Sequence, residues 1–388
     1  MNSIFEDTST AFKLKSDSEL ERAYFLFKLI ANQPLVKIGT AVTNFAINAK
    51  LPVEGLIRAT VFDHFCGGVN EQDCLPIIDK MFKAKVCSIL DYSVEGKQIE
   101  NQLDSALSKI LGVLDFVKEK DAIPFAVFKP SAFGRFELFE KVSSNQELMQ
   151  LEKEEWSRVI NRYDKVCKKA YDLDVALLID AEESWIQDAA DELAYEMMRK
   201  YNKVKPVVFN TAQMYRWDRL NYLEKISGLA KKEGFKVGIK VVRGAYMEKE
   251  NDRADEMGYK RPICETKNAT DVNFDEAVVY MLDNLDVFTI FSGTHNEMSC
   301  YKLMDQMKQR QIPNNSDSIW FGQLFGMSDH ISFNLASKGY NVSKYLPYGP
   351  VRDVMPYLIR RAEENTSVAG QTSRELDLLK REKVRRKI

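Results

Sequence analysis

Short, nearly continuous apolar runs recur along this chain, each followed by an amphipathic stretch. The runs are VCSILDYS (86–93), PFAVFKPSA (124–132), VALLIDAE (175–182), PVVFNTAQ (206–213), KVGIKVVRG (236–244), VFTIFSGTH (287–295), SIWFGQLFG (318–326) and NVSKYLPYG (341–349). All are rich in Val, Ile and Phe, and none alternates cleanly between apolar and polar positions. A strand wetted on one face alternates, whereas a parallel strand covered on both faces does not. The stretches between them, such as NQELMQLEKEEWSRVINRYDKVCKKAYD and NFDEAVVYMLDNL, carry the helical period. Eight buried strands alternating with helices predict an α/β fold, a (β/α)8 barrel of the TIM type over residues 86–370. A doubly wound open sheet is the alternative. Against it, no GxGxxG follows the first strand and no GxxxxGK[ST] occurs anywhere.

Residues 1–85 read as an N-terminal helical arm: SELERAYFLFKLIAN, then VKIGTAVTNFAINA, then a stretch around CGGVNEQDCLPIIDKMFKA. Residues 371–388 form a basic tail, SRELDLLKREKVRRKI, with Leu376, Leu378 and Leu379 on it. Its plain reading is a solvated helix, and the sharper one is a contact with anionic lipid. Within YLIRRAEEN, Tyr357, Arg360, Arg361 and Glu364 fall at i, i+3, i+4 and i+7, one face of a helix where a core stripe belongs.

The composition, 45% hydrophobic and 29% charged over 388 residues, suits a globular protein. Lys+Arg 55 against Asp+Glu 57 leaves a net charge of -2, so no global field recruits nucleic acid. Six scattered cysteines form no CxxC pair and histidines number three, which disfavours a zinc site or a disulfide framework and fits a reducing compartment. Glu6, Asp7, Asp17, Glu19 and Glu21 make the start of the chain too acidic for a mitochondrial presequence. No apolar run approaches the length of a transmembrane helix.

In a parallel barrel, chemistry sits at the C-terminal strand ends. Here those ends carry Lys129; Asp180, Glu182 and Glu183; Asn210 and Gln213; Lys240 and Arg243 before a Gly-Ala turn; Thr294, His295 and Asn296; Gln323 and Asp329; Tyr345 and Tyr348. Singly each has a plain explanation. A buried Lys–Asp pair can be structural, His295 can be a packing residue, and Gly244 can be a turn. Together they make a cationic mouth suited to a carboxylate, a phosphate or a dinucleotide. No His or carboxylate group has metal-ligand spacing, so no metal is expected. A barrel with many hydrogen-bonding groups but no evident nucleophile points to an organic cofactor.

The segments KVVRGAYMEKEN, IDAEES, FGQLFGMSD and YLPYGPVRDVMPYLIRRAEENTS resemble the proline dehydrogenase family, in order and on the expected strand ends. The GQLFGMSD and PYLIRRAEEN forms are closer to its monofunctional branch than to the bacterial bifunctional one, proline utilization A. The resemblance implies a distorted (β/α)8 barrel that binds FAD non-covalently. It implies oxidation of L-proline to Δ1-pyrroline-5-carboxylate by hydride transfer from C5 to the flavin N5, with electrons passing to a membrane quinone. Arg360, Arg361 and Lys129 would hold the proline carboxylate, while Tyr345, Tyr357 and Leu324 would pack around its ring. Asp180 would lie at the substrate end and Lys240 near the flavin N5, where the bacterial pattern has an arginine. Ala181, Asn210, Arg243, Gly244, Ala245, Thr294 and His295 would line the flavin and its phosphates, Asn210 standing where a glutamine often lies.

Planar guanidinium groups suit a carboxylate, and a cationic pocket would favour the unprotonated amine that hydride loss requires. Gly-Ala would let the backbone approach the cofactor. A phenol at Tyr345 should crowd a 4-hydroxyl, so proline is expected over 4-hydroxyproline. No aldehyde dehydrogenase segment follows the barrel, which implies a separate pyrroline-5-carboxylate dehydrogenase downstream. A cytoplasmic location, peripheral to the inner membrane face, would give access to the quinone. The alternatives are a buried ion network of Arg360 and Arg361 with Glu363, Glu364 and Asp180, a flavin barrel of the methylenetetrahydrofolate reductase type, and a barrel that only binds.

Overall fold

The computed structural model describes residues 3–32, 54–92, 99–367 and 371–388; the side chains of 56, 59, 362–367 and 371 are outside that description. Each apolar run becomes one strand: β1 (Cys87–Tyr92), β2 (Phe125–Phe128), β3 (Ala176–Ile179), β4 (Val208–Gln213), β5 (Val237–Val242), β6 (Phe288–Gly293), β7 (Ile319–Leu324) and β8 (Val342–Tyr348). They close a barrel in chain order. The amphipathic stretches between them are helices, among them Gln150–Asp172 and Lys267–Asp283. The predicted helix in VKIGTAVTNFAINA lies outside the described residues.

The chain forms two compact units, Gly96–Gly322 and the combination of Met1–Glu95 with Gln323–Ile388. In the first, parallel register sets Thr211 beside Lys240 and Lys240 beside Phe291. Side chains alternate across a strand, so Phe209, Thr211 and Gln213 share one face of β4. Aromatic rings fill the space on that face. Phe125 meets Phe209, Phe291 and Trp320 edge to face, with centroids 5.8, 5.3 and 5.0 Å apart. Gly238 and Gly322 make room for this cluster, since a Cβ would come within 2.5 Å of the Phe209 ring and 2.2 Å of the Phe291 ring respectively.

In the second unit, the helix Asp17–Ile30 opens with a capping box. Ser16 Oγ accepts from the Glu19 amide and Glu19 accepts from the Ser16 amide, at 3.2 and 2.7 Å. Its apolar stripe, Leu20, Ala23 and Phe27, packs on Leu378 and Leu379 of the helix Gln371–Arg386. The basic tail is therefore not a solvated helix: both leucines are fully buried. Several of its cations pair with N-terminal carboxylates, Arg374 with Glu6 at 2.6 Å, Arg386 with Asp17 at 3.0 Å and Lys383 with Glu21 at 3.4 Å. The leucines were too few to define an apolar face alone, but the stripe on Asp17–Ile30 completes it.

Candidate active site

The strand ends of the Gly96–Gly322 unit carry two charged constellations. Lys240, on β5, is buried, and its ammonium meets the Asp180 carboxylate at 2.5 Å. Asp180 directly follows β3 and is held in turn by β2, its amide donating to the Phe128 carbonyl at 2.9 Å. Just beyond β5, the Arg243 guanidinium donates to Asp271, Thr294 Oγ1 and Ser299 Oγ at 2.7, 2.8 and 2.9 Å. It also lies 4.5 Å from the Phe274 ring centroid. Burial resists ionisation of Asp271, but Lys267 and Arg243 hold its carboxyl below the ordinary range. Thr294 is fixed by its amide on the Gly322 carbonyl and accepts from the Asn296 amide. Ala181 and His295 are half-buried on the same strand ends.

Asn210 is not among these groups. It sits on the opposite face of β4 from Thr211 and Gln213, and its amide nitrogen donates to Asp191 and to Tyr222, each at 2.8 Å, on the helices Ser184–Tyr201 and Arg219–Glu233. Asp191 is itself paired with Arg219 at 2.6 Å. The cause is the strand's period of two, which turns positions 210 and 213 to opposite sides. Gln213 takes the inward direction, with its amide nitrogen on the Glu182 carbonyl at 2.6 Å.

Gly244 is required by the fold itself. Its φ is +131°, and a Cβ there would lie 2.5 Å from the Tyr215 ring. Packing against Tyr215 thus excludes a side chain, whatever else approaches. Gly244 and Ala245 are exposed. They lead into the helix Met247–Met257, whose Glu250 carboxylate accepts from the Ser184 amide and hydroxyl at 2.6 and 2.5 Å. Lys249 pairs with Glu183, and Arg253 with Glu140.

Lys129 and Glu182 are electrostatic neighbours, and burial pushes the Glu182 carboxyl up to about 7 against the pull of Lys129. The carboxylate accepts from both the amide and the hydroxyl of Ser131, at 2.8 and 2.7 Å.

In the second unit, the segment after β7 is gripped by buried side chains. Lys344 of β8 donates to the carbonyls of Leu324 and Met327 at 3.3 and 2.7 Å and meets Asp329 at 2.8 Å. His64 Nε2 lies 3.0 Å from the Gly326 carbonyl, and a carbonyl can only accept, so this nitrogen carries the proton. Burial and the Lys15 charge push that imidazole down to about 3, leaving it neutral. The Ser328 amide donates to Glu375 at 2.5 Å. Lys344 escaped the strand-end reading because it precedes the strand's end. A lysine inside an apolar run was the signal, since lysine is seldom fully buried without a partner.

Leu324 and Tyr357 belong to one apolar cluster with Met327, Val354 and Leu358. The Arg361 guanidinium carbon lies 5.0 Å from the Tyr357 ring centroid, within cation–π range. Arg361 and Tyr345 are buried and Arg360 is half-buried. The side chains of Glu363 and Glu364 lie outside the described residues.

Among the described residues, no group of three His, Cys, Asp or Glu side chains could hold a metal ion. No described helix is long and apolar enough to cross a membrane.

The family model described as proline dehydrogenase matches residues 74–374. The carbapenem antibiotics biosynthesis protein CarD of Pectobacterium carotovorum is 34% identical over 333 residues, 86% of each chain. Human mitochondrial proline dehydrogenase 1 is 41% identical over 233 residues, which are 59% of this chain and 39% of that protein. Among solved structures, proline utilization A of Bdellovibrio bacteriovorus superposes with a TM-score of 0.73 at 19% identity. It covers 95% of this chain and 40% of its own, a likeness of fold.

Proposed function

Since this chain belongs to the proline dehydrogenase family, we propose that it oxidises L-proline to Δ1-pyrroline-5-carboxylate, the first step of proline catabolism, with FAD as hydride acceptor and a membrane quinone as the final acceptor. The observation that carries this reading is the extent of the family match, residues 74–374, which includes every position assigned a role below. A separate pyrroline-5-carboxylate dehydrogenase would consume the product.

The residues present fit a flavin dinucleotide. Its pyrophosphate is anionic, and Arg243 and Thr294 bring a fixed guanidinium and a hydroxyl to the ends of β5 and β6. Lys240 adds a buried ammonium, Ala181 and His295 lie just past the ends of β3 and β6, and Gly244 and Ala245 offer exposed backbone with little side chain. These residues would hold the group, with Gln213 in the place first given to Asn210. The bound flavin would supply two-electron acceptance, which no side chain here offers.

Arg360, Arg361 and Lys129 are assigned the substrate carboxylate, and Tyr345, Tyr357 and Leu324 the apolar ring. The stacking of Arg361 on Tyr357 restricts its guanidinium before any ligand arrives, which lowers the ordering cost of a bidentate contact. Asp180, paired with Lys240, keeps that cation in place rather than serving as a strong base. Positive charge around the amine favours its neutral form, so proton loss precedes hydride loss.

Purified protein should be yellow, and L-proline added without oxygen should bleach it. A colourless protein that takes up no FAD would sink this reading. Bleaching by NADH but not by proline would favour a reductase, and equal bleaching by 4-hydroxyproline would defeat the role given to Tyr345.

A further inference from the structure

The peptide unit between Leu324 and Phe325 is held at both poles by consecutive residues of β8. The Leu324 carbonyl accepts from Lys344 Nζ at 3.3 Å, and the Phe325 amide donates to the Tyr345 carbonyl at 2.8 Å. A peptide unit is planar, so it cannot turn here without breaking both bonds, and the start of the Leu324 side chain turns with it. A lysine ammonium has three N–H groups, and the other two meet the Met327 carbonyl at 2.7 Å and Asp329 at 2.8 Å. Lys344 is fully buried. Side chains alternate along a strand, so Lys344 leaves β8 on the face opposite to Tyr345, toward the helix Asp329–Ser337. The chain beyond Phe325 is not self-supporting. Gly326 and Ser328 both have left-handed backbones, with φ of +79° and +50°, and a non-glycine residue keeps that conformation only where its surroundings impose it. His64 on the Gly326 carbonyl and Glu375 on the Ser328 amide complete the grip.

We propose that Lys344 is a positioning residue that fixes the spacing between Leu324 and Tyr345, and through that spacing the size of ring the site accepts. The inference rests on the assignment of Leu324 and Tyr345 to the substrate ring. Lys344 does not touch the ring itself, because its ammonium is engaged by two carbonyls and a carboxylate on the other face of β8. Without that ammonium, the Leu324 carbonyl keeps only the Met327 amide, at 3.3 Å, and the Met327 carbonyl loses its shorter, charged donor. The Leu324–Phe325 peptide then hangs from β8 by one bond in place of two. An apolar wall tells a five-membered ring from a six-membered one only if it cannot retreat. A Leu324 free to shift would admit the extra methylene at little cost.

The test uses FAD-loaded protein and two acids that differ by one methylene, cyclopentanecarboxylate and cyclohexanecarboxylate, as competitive inhibitors of proline oxidation. Both present the same carboxylate, so the ratio of their inhibition constants reads the ring wall rather than the clamp. One methylene in an apolar pocket is worth about tenfold or more, and wild-type protein should favour the five-membered ring by at least that. Lys344→Met, which keeps the length and loses the donors, should bring the ratio below about threefold. A merely structural role would lower the amount of active protein and leave the ratio alone. In a Leu324→Ala background, Lys344→Met should change the ratio no further, since the wall it acts through is gone. Where Lys344→Met does not fold, Lys344→Met combined with Asp329→Asn removes both buried charges together and should show the same lowered ratio. A folded Lys344 variant with the wild-type ratio overturns the proposal. So does a further drop in the Leu324→Ala background, or a wild-type protein that proline bleaches but that binds the two acids alike. Failure of proline to bleach the wild-type protein would instead overturn the functional reading, and this inference with it.

Discussion

The Lys240 ammonium and the Asp180 carboxylate meet at 2.5 Å with only 8% and 16% of their side chains exposed. Two charges so placed stabilise each other, and removing one leaves the other in a poor solvent. Asp180→Ala should cost about 2–4 kcal/mol, somewhat below a fully dry pair because Asp180 keeps some water. Urea unfolding measures this. The double variant Asp180→Ala with Lys240→Met should recover part of the loss, and a double variant as unstable as the sum of the singles would refute the coupling.

Arg361→Met should keep FAD bound, since the role assigned to Arg361, which stacks on Tyr357, is the substrate carboxylate and not the cofactor. It should raise KM for proline by roughly 10- to 100-fold, the range for one charge-assisted contact. Flavin absorbance and steady-state kinetics read both effects. Unchanged proline kinetics would remove Arg361 from substrate binding.

Asn210→Ala should behave as a stability variant. It withdraws an amide from Asp191 and Tyr222 behind the barrel wall, costing about 1–3 kcal/mol for buried groups left unsatisfied. FAD content per folded molecule should not change. Loss of flavin without loss of thermal stability would restore Asn210 to the cofactor site.

Acid sensitivity should trace to Asp329. Burial opposes its ionisation, yet Lys15 and Lys344 hold its carboxyl far below the ordinary value. Asp218 is likewise held at about 2 despite burial, by Arg219 and Arg216. A folded-state value below the unfolded one means that the unfolded chain takes up protons first as pH drops. The stabilisation is therefore complete above about pH 4 and is lost as pH falls below it. Asp329→Asn should lower stability at neutral pH and flatten the decline below about pH 4, as urea midpoints across pH would show. An unchanged slope would rule Asp329 out.

The barrel was legible because continuous Val-, Ile- and Phe-rich runs have few alternatives to doubly covered strands, and all eight runs became strands. The same continuity hid the phase. With no alternation along PVVFNTAQ, nothing local told which of Asn210 and Gln213 faced inward, and only the pairing of Thr211 with Lys240 decides it. Arg243 and Thr294 were readable one at a time as strand-end polar groups, but their mutual bond depends on register between β5 and β6. The tail was misjudged for another reason: Leu378 and Leu379 find their partners on Asp17–Ile30, near the other end of the chain. Lys344 sits within β8, and its carbonyl partners at Leu324 and Met327 lie across a loop that no local pattern links to it.

The pairing of Asp17–Ile30 with Gln371–Arg386 also orders events in time. The Gly96–Gly322 unit is one unbroken stretch, so all of its residues are available before Gln323–Ile388 is made. The other unit joins Met1–Glu95 to Gln323–Ile388, and its Leu20, Phe27, Leu378 and Leu379 core cannot form until Leu378 and Leu379 emerge. Since chains are built from the N-terminus, the helix Asp17–Ile30 must wait for these partners while all the residues between the two helices are made. That interval, rather than the finished structure, is where this protein would most depend on a chaperone.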